Sequence, residues 1–295
     1  MTARTSFTIC LAIAAIPVCA VALGLYQFVA LRASNVDAAP LADVCVIAYR
    51  RSVDATGHVG IAIAVVLLVF LLVRSVAAFW RGWRETRDIR GLSSISTDSP
   101  KWRVVEAFAD TYLPRNRIQL VAADEPMAVT VGYIWPRVLL SSGLLALLDG
   151  PELEAVLHHE RAHVRRRDPL RTLISDCCQT ALPFIPLIGY IARQFRIGEE
   201  IEADAAAIAA LGTATPLASA LAKVLTAMPV RPAGVGLTPT EARIDSLLGR
   251  EYPREPKAKF YLAAAFSVPA LGILSLGLYI LASSPHITTL HICPS

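Results

Sequence analysis

Three long stretches without a charged residue constrain this chain more than any other feature: Thr5 to Leu31 between Arg4 and Arg32, His58 to Val73 extending past Arg74 to Trp80, and Phe260 to Ser284 after Lys259. A bilayer-spanning helix takes about 20 predominantly apolar residues, and each stretch is long enough. A hydrophobic share of 55% and a mean hydropathy of +0.52 exceed what an ordinary soluble globule carries. The first stretch follows a short basic start, as a signal peptide does. It is too long for one and lacks a clean small-residue cleavage site, so it reads as a retained span in which Pro17 is tolerated as a kink.

The spans are expected at 5–31, 58–80 and 259–284. Arg81, Arg84, Arg87, Arg90, Lys101 and Arg103 follow the second, and Lys257 and Lys259 precede the third. Because Lys and Arg gather on the cytoplasmic side, the 81–258 segment is expected inside the cell, with the loop 32–57 and the tail 285–295 outside. Arg50 and Arg51 in the outer loop run against this orientation. The expected location is therefore the plasma membrane, crossed several times, with membrane lipid as one partner. The net charge of +4 is modest and the basic residues sit next to membrane ends, where anionic headgroups attract them, so nucleic-acid binding is not indicated. None of the six cysteines forms a CxxC pair, which argues against a thiolate metal site or a redox dithiol.

The segment between the second and third spans is about 175 residues, enough for one compact domain. Gly91 to Pro100 reads as a linker, and a helix is expected over Trp102 to Tyr112. Ile118 to Ala122 and Ala128 to Gly132 are short and β-branched and read as strands. Val138 to Leu140 is a candidate third strand, with Ser141 and Ser142 capping a helix from Gly143 to Leu148. The fold class is thus mainly α with a small β-sheet (α+β). Leu170 to Phe195 is apolar but interrupted by charges and prolines; it is too short for two crossings and reads as a core or interfacial segment on the cytoplasmic side.

Asp149-Gly150-Pro151-Glu152 is a helix start, with Pro at the first helical position and Glu152 and Glu154 near the positive end of the helix dipole. Leu153, Val156 and Leu157 form a buried stripe that His159 and His163 continue. Residues His159 to His163 match HExxH, whose histidines lie one turn apart and can bind one Zn²⁺ on the same face. Glu160 adjoins that face and is placed to act as general base on a water acidified by the metal. Alone the motif is only suggestive, since a structural helix can also carry two histidines.

A second acidic motif, Glu199 to Ala207, lies in an Ala-rich segment with strong helix propensity. A catalytic zinc needs a third protein ligand and an open position. Glu200 and Asp204 lie one turn apart on one helix face, while Glu202 points to the opposite side. Glu200 is the expected third ligand, and Asp204 the acceptor for the outer ring N–H of a zinc-bound histidine. The alternative for an acidic helix is a solvated face, which accounts for Glu199 and Glu202.

Taken together, these motifs resemble the gluzincin membrane proteases, in which HExxH is followed by a helix reading E-x-x-A-D. Val131-Gly132, Pro136 to Leu144, His159 and Arg165 to Asp168 look like the branch of bacterial β-lactam-sensing antirepressor proteases. The HtpX and CAAX-prenyl protease branch is the alternative. The resemblance implies a zincin-like metalloprotease domain carried on three transmembrane helices. In the second branch a segment resembling H-P-P-T-E-E-R supplies a histidine and an arginine near the reacting carbonyl. The run Leu237 to Arg243 keeps Arg243 and has Leu237 in place of the histidine. Arg243 is then expected either to polarise the carbonyl or to tie down a helix by a salt bridge. Tyr133 and Tyr190 are further candidate donors.

What the resemblance implies for substrates is a protein or peptide cut in or near the membrane on its cytoplasmic side. Ala128 to Gly132 would be the edge strand to which an extended substrate adds, unless it is an interior strand. The expected function is zinc-dependent endopeptidase activity. Its alternatives are a signalling protease that cuts a repressor when a partner senses an outside cue, and a zinc scaffold without turnover. Outer parts this small cannot fold a sensor domain, so signalling would require a sensor partner. Cys45 and Cys293 would both face the oxidising compartment and are expected to pair.

Overall fold

The computed structural model describes residues 2–34, 66, 69–84, 87, 101–227, 239–250 and 257–283. The expected linker Gly91 to Pro100, nearly all of the expected outer loop 32–57, the expected outer tail 285–295, and Cys45 and Cys293 with their expected pairing lie outside the described residues.

Apolar composition dictates helix wherever the expected spans are described: α1 (Ala3–Ser34), α2 (residues 69–84) and α10 (Lys257–Ser283). Among the described residues no helix is long and apolar enough to cross a membrane, so the three spans remain a proposal. Helix α3 (Trp102–Tyr112) leads through a short 3-10 turn at Arg115–Arg117 into β1 (Ile118–Val121), β2 (Ala128–Val131) and β3 (Arg137–Ser141). The strand order is β1-β3-β2, with β1 parallel and β2 antiparallel to β3. Sequence neighbours β1 and β2 therefore do not pair, and β2 lies at an edge of the sheet.

Helix α4 (Ser142–Leu147) begins one residue earlier than expected, with Ser141 as its cap: the Ser141 hydroxyl accepts from the Leu144 amide at 3.0 Å. Helix α5 (Gly150–Arg166) is capped by Asp149, whose carboxylate accepts from the Glu152 amide while Glu152 accepts from the Asp149 amide, each at 2.9 Å. This reciprocal box satisfies two of the four amides a helix start leaves open. Glu152 is also buried, where Ser219 and Lys223 of α8 (Thr215–Ala227) donate to it at 2.6 and 2.7 Å. It is a tie between helices as well as a dipole partner.

The core beneath the sheet gathers Phe108 from α3, Leu120 and Leu140 from the strands, Leu144 from α4, and Leu153 and Leu157 from α5. Burying such side chains contributes roughly 1.5–3 kcal/mol each, and this anchors the apolar side of α5. Helix α6 (Asp168–Ala181) and helix α7 (Pro186–Leu211) account for the ambiguous apolar stretch. They form a hairpin whose turn, at Leu182 and Ile185, packs among Ile9, Cys10 and Ile13 of α1, Leu71 of α2 and Leu271 of α10. At its start the Leu187 amide donates to the Ser267 hydroxyl of α10 at 3.0 Å, giving a helix-end donor a partner in apolar surroundings. The acidic motif is the continuation of the same 26-residue helix. Helix α9 (Pro239–Leu247) packs against α7 and completes the domain.

Candidate metal centre

The site is built where α5 crosses α7. The Nε2 atoms of His159 and His163 are 3.1 Å apart, one turn separated on α5. From α7, the Glu200 carboxylate reaches to 3.5 Å from the first and 3.7 Å from the second. Four-coordinate zinc with bonds of roughly 2.0 to 2.1 Å needs ligand atoms about 3.3 Å apart, and the three separations bracket that value. Among the described residues His159, His163 and Glu200 form a group able to hold a metal ion.

Opposite charges are paired within this group. Burial would depress the His159 pKa, but Asp204 and Glu200 overcome this and hold it up to about 9. Burial would raise the Glu200 pKa, yet His159, His163 and Arg243 draw it down to about 2. Two imidazole nitrogens and a carboxylate oxygen are a donor set that fits a divalent cation, which takes the place of the proton on His159.

Outer partners fix both imidazoles. His159 Nδ1 stands 2.7 Å from Asp204 Oδ1, and His163 Nδ1 2.7 Å from Asp168 Oδ2. With Nδ1 facing a carboxylate, each ring presents Nε2 to the site. Arg243 of α9 donates to Asp204 through Nε at 2.9 Å and Nη2 at 2.8 Å, and its Nη1 is 3.3 Å from Glu200 Oε2. Of the two expectations for Arg243, the salt bridge is the geometry found. Glu202 points elsewhere and accepts from the Ala3 amide of α1 at 2.9 Å.

Glu160 is buried beside the histidines, and the Thr130 hydroxyl of β2 donates to its Oε2 at 2.6 Å. The edge strand and the α5 carboxylate thus share one wall of a cleft of about 650 Å³ that also exposes His159, His163 and Glu200. Tyr133 lines this cleft, whereas Tyr190 packs against Phe260 of α10 at 5.6 Å between centroids.

Sequence reasoning missed Asp168, Thr130 and the surroundings of Glu199. Arg167 ends α5 with φ 54°, the left-handed conformation that non-glycine residues rarely adopt, and this turns the chain so that Asp168 faces back to His163. Asp168 is clamped by Arg166 at 2.7 Å and Arg171 at 3.1 Å. The run Arg166-Arg167-Asp168-Pro169 carried the signal, since Asp-Pro after a basic last turn marks a new helix beside the metal motif. Glu199 corrects the solvated-face expectation: it is 4% exposed, and the Thr172 hydroxyl donates to it at 2.9 Å. Burial and the neighbouring Asp168 push its carboxyl up to about 9.

The family described as BlaR1 peptidase M56 matches residues 9–246. A protease HtpX homolog of Aquifex aeolicus is 28% identical over 134 residues, covering 44% of this chain and 43% of that protein. One from Desulforapulum autotrophicum is 30% identical over 142 residues, covering 46% and 44%. A third, from Pelotomaculum thermopropionicum, is 34% identical over 90 residues, covering 30% and 32%. The chain spans less than half the length of these three relatives.

Proposed function

The chain belongs to the BlaR1 peptidase M56 family, and from that premise we propose that it is a membrane-embedded, zinc-dependent endopeptidase acting on a protein or peptide at the cytoplasmic face. The observation that carries this reading is the convergence of His159, His163 and Glu200 within 4.8 Å of one another beside the Glu160 carboxylate. When bound, zinc supplies Lewis acidity and lowers the pKa of a coordinated water.

The chain's own residues do the rest. Glu160 takes the proton of the attacking water and returns it to the leaving amine. Thr130 holds that carboxylate at the cleft wall through its 2.6 Å hydrogen bond. Asp204 and Asp168 keep the histidines in the tautomer that binds metal, and Arg243 balances the charge on Asp204 and Glu200. An extended substrate adds to the open edge of β2, Ala128 to Gly132, which brings its backbone past Glu160. Substrate capture by backbone pairing makes the activity weakly selective for sequence.

One contact favours a narrower second reading, regulated cleavage of a repressor in response to a sensor partner. The first turn of α1 docks on α7 two residues from Glu200, through the bond from the Ala3 amide to Glu202 and the close approach of Ala3 to Gly198. A tilt of α1 imposed from outside would reach the ligand helix directly.

The test of the primary reading uses the full chain in detergent with a casein-derived fluorogenic peptide. Hydrolysis is expected to stop with a zinc chelator and return with added zinc. Hydrolysis insensitive to chelator would contradict a metal mechanism. Zinc-loaded protein that cuts no peptide tried would support the scaffold instead.

A further inference from the structure

Hydrophobic side chains exposed at the tip of a hairpin are costly in water, and the β2–β3 hairpin carries two. Gly132, at φ 98°, turns the chain out of β2. Ile134 and Trp135 then stand 66% and 70% exposed before buried Pro136 returns the chain to β3. Neither side chain contributes to the core described above, and neither lines the cleft.

The neighbours of this tip give its occupant a chemistry. Tyr133 sets its ring 6.3 Å from that of Phe79 and its hydroxyl against the Gly82 backbone, where an added Cβ would lie 2.7 Å away. The tip is thereby fixed to the last turns of α2. On the adjoining face of those turns Trp80 and Trp83 pack at 5.0 Å and are both exposed. Arg84 lies 5.6 Å over Trp80 and Arg87 5.3 Å over Trp83. The tip repeats that combination: the Arg117 guanidinium lies 6.0 Å from the Trp135 ring, and Arg137 is exposed at the strand start. Trp beside Arg is the composition of a membrane-water boundary, with the ring among acyl carbons and the guanidinium at anionic phosphates.

We infer that Ile134 and Trp135 insert into the cytoplasmic headgroup layer of the bilayer, so that the β2–β3 hairpin is a second membrane anchor continuous with the end of α2. Edge strand β2 then ends at the lipid surface. The substrates this favours are extended segments just emerging from the membrane, because only these reach β2 without lifting the hairpin. The inference rests on the proposal that α2 lies in a membrane, and its test separates the two.

The full-length protein is reconstituted into vesicles of phosphatidylcholine and phosphatidylglycerol whose acyl chains carry bromine near the headgroup, a contact quencher of tryptophan. The share of each tryptophan is read as the difference between the wild type and Trp80→Phe, Trp83→Phe or Trp135→Phe, all at exposed positions. The Trp135 share is expected to be quenched by bromolipid to within about twofold of the Trp80 share and to be shielded from aqueous acrylamide. Quenching of Trp80 and Trp83 without Trp135 would overturn the hairpin anchor and leave the α2 span standing. Trp135 shielded from acrylamide yet untouched by bromolipid would also overturn it, in favour of a protein covering the tip. Failure of all three to be quenched would overturn the membrane reading and the anchor together. As an independent readout, Ile134→Asp is expected to slow cleavage of a membrane-tethered peptide while leaving a soluble peptide of the same sequence unaffected. Equal rates on both would reject the role in substrate choice.

Discussion

His163 Nδ1 stands 2.7 Å from Asp168 Oδ2, although the two residues sit on different helices separated by a left-handed turn. The same distance joins His159 Nδ1 to Asp204 Oδ1. Two imidazoles on one helix are thus each set by a carboxylate from a different element, α6 for one and α7 for the other.

Asp168→Asn and Asp204→Asn are each expected to weaken zinc binding by about 10- to 100-fold, the usual effect of losing an outer carboxylate partner. Glu202→Gln, whose side chain bonds α1 instead, is expected to leave zinc affinity unchanged. Competition titration with a chromogenic zinc chelator measures all three. An effect from Glu202 equal to that from Asp204 would contradict this division of roles along α7.

Arg243 separates two roles that predict different losses. As a tie to buried Asp204, its removal in Arg243→Ala leaves that carboxylate with the His159 ring as its remaining charged neighbour, and breaking a buried ion pair from one side is typically destabilising by about 3–5 kcal/mol. Both the melting temperature and the zinc content should then fall. Arg243→Lys is expected to recover much of the stability but less of the zinc, because one ammonium cannot span Asp204 and Glu200 as the planar guanidinium does. A variant that loses turnover alone, with zinc and melting temperature intact, would indicate direct action on the substrate carbonyl.

Much of this arrangement was legible in the sequence, and what escaped did so for physical reasons. Helix α3, the three strands and the capped start of α5 follow from local signals: periodicity, β-branching and the Asp149 to Glu152 spacing. The one-turn separations of His159 from His163 and Glu200 from Asp204 are properties of a single helix, so spacing alone exposes them. Asp168 depends on the path of the chain through Arg167, and Thr130 on how β2 lies against α5. Neither tertiary relation leaves a periodic trace. Glu199 misled because an acidic residue in a polar run reads as solvated, whereas packing of α6 against α7 buries it beside Thr172. The hairpin turn at Leu182 and Ile185 was marked by Pro183 and Pro186, but its partners are distant helices.

Glu152 gives the domain a dependence on pH away from the metal. Burial would raise its pKa, but Lys223, Ser219 and the Asp149 amide outweigh this and hold it below the usual glutamate range. A carboxyl with a depressed folded pKa contributes stability that is present above its unfolded pKa of about 4.3 and is lost as pH falls through the lower folded value. Glu152→Gln is therefore expected to lower the melting temperature at pH 7 by roughly 2–6 °C. The gap to wild type should narrow below about pH 4. Differential scanning calorimetry from about pH 3 to about pH 7 reads it, and a gap that widens on acidification would contradict the sign.

The central claim is that Glu160 acts on a water while His159, His163 and Glu200 hold the metal. Glu160 touches Thr130 and lines the same cleft, but it does not belong to the converging group. The direct measurement is peptide hydrolysis by Glu160→Gln at matched zinc content, quantified by elemental analysis of the same preparations. The account predicts about one zinc per chain in variant and wild type alike, with turnover by the variant reduced at least about 100-fold. Turnover at the wild-type rate by zinc-loaded Glu160→Gln would contradict it.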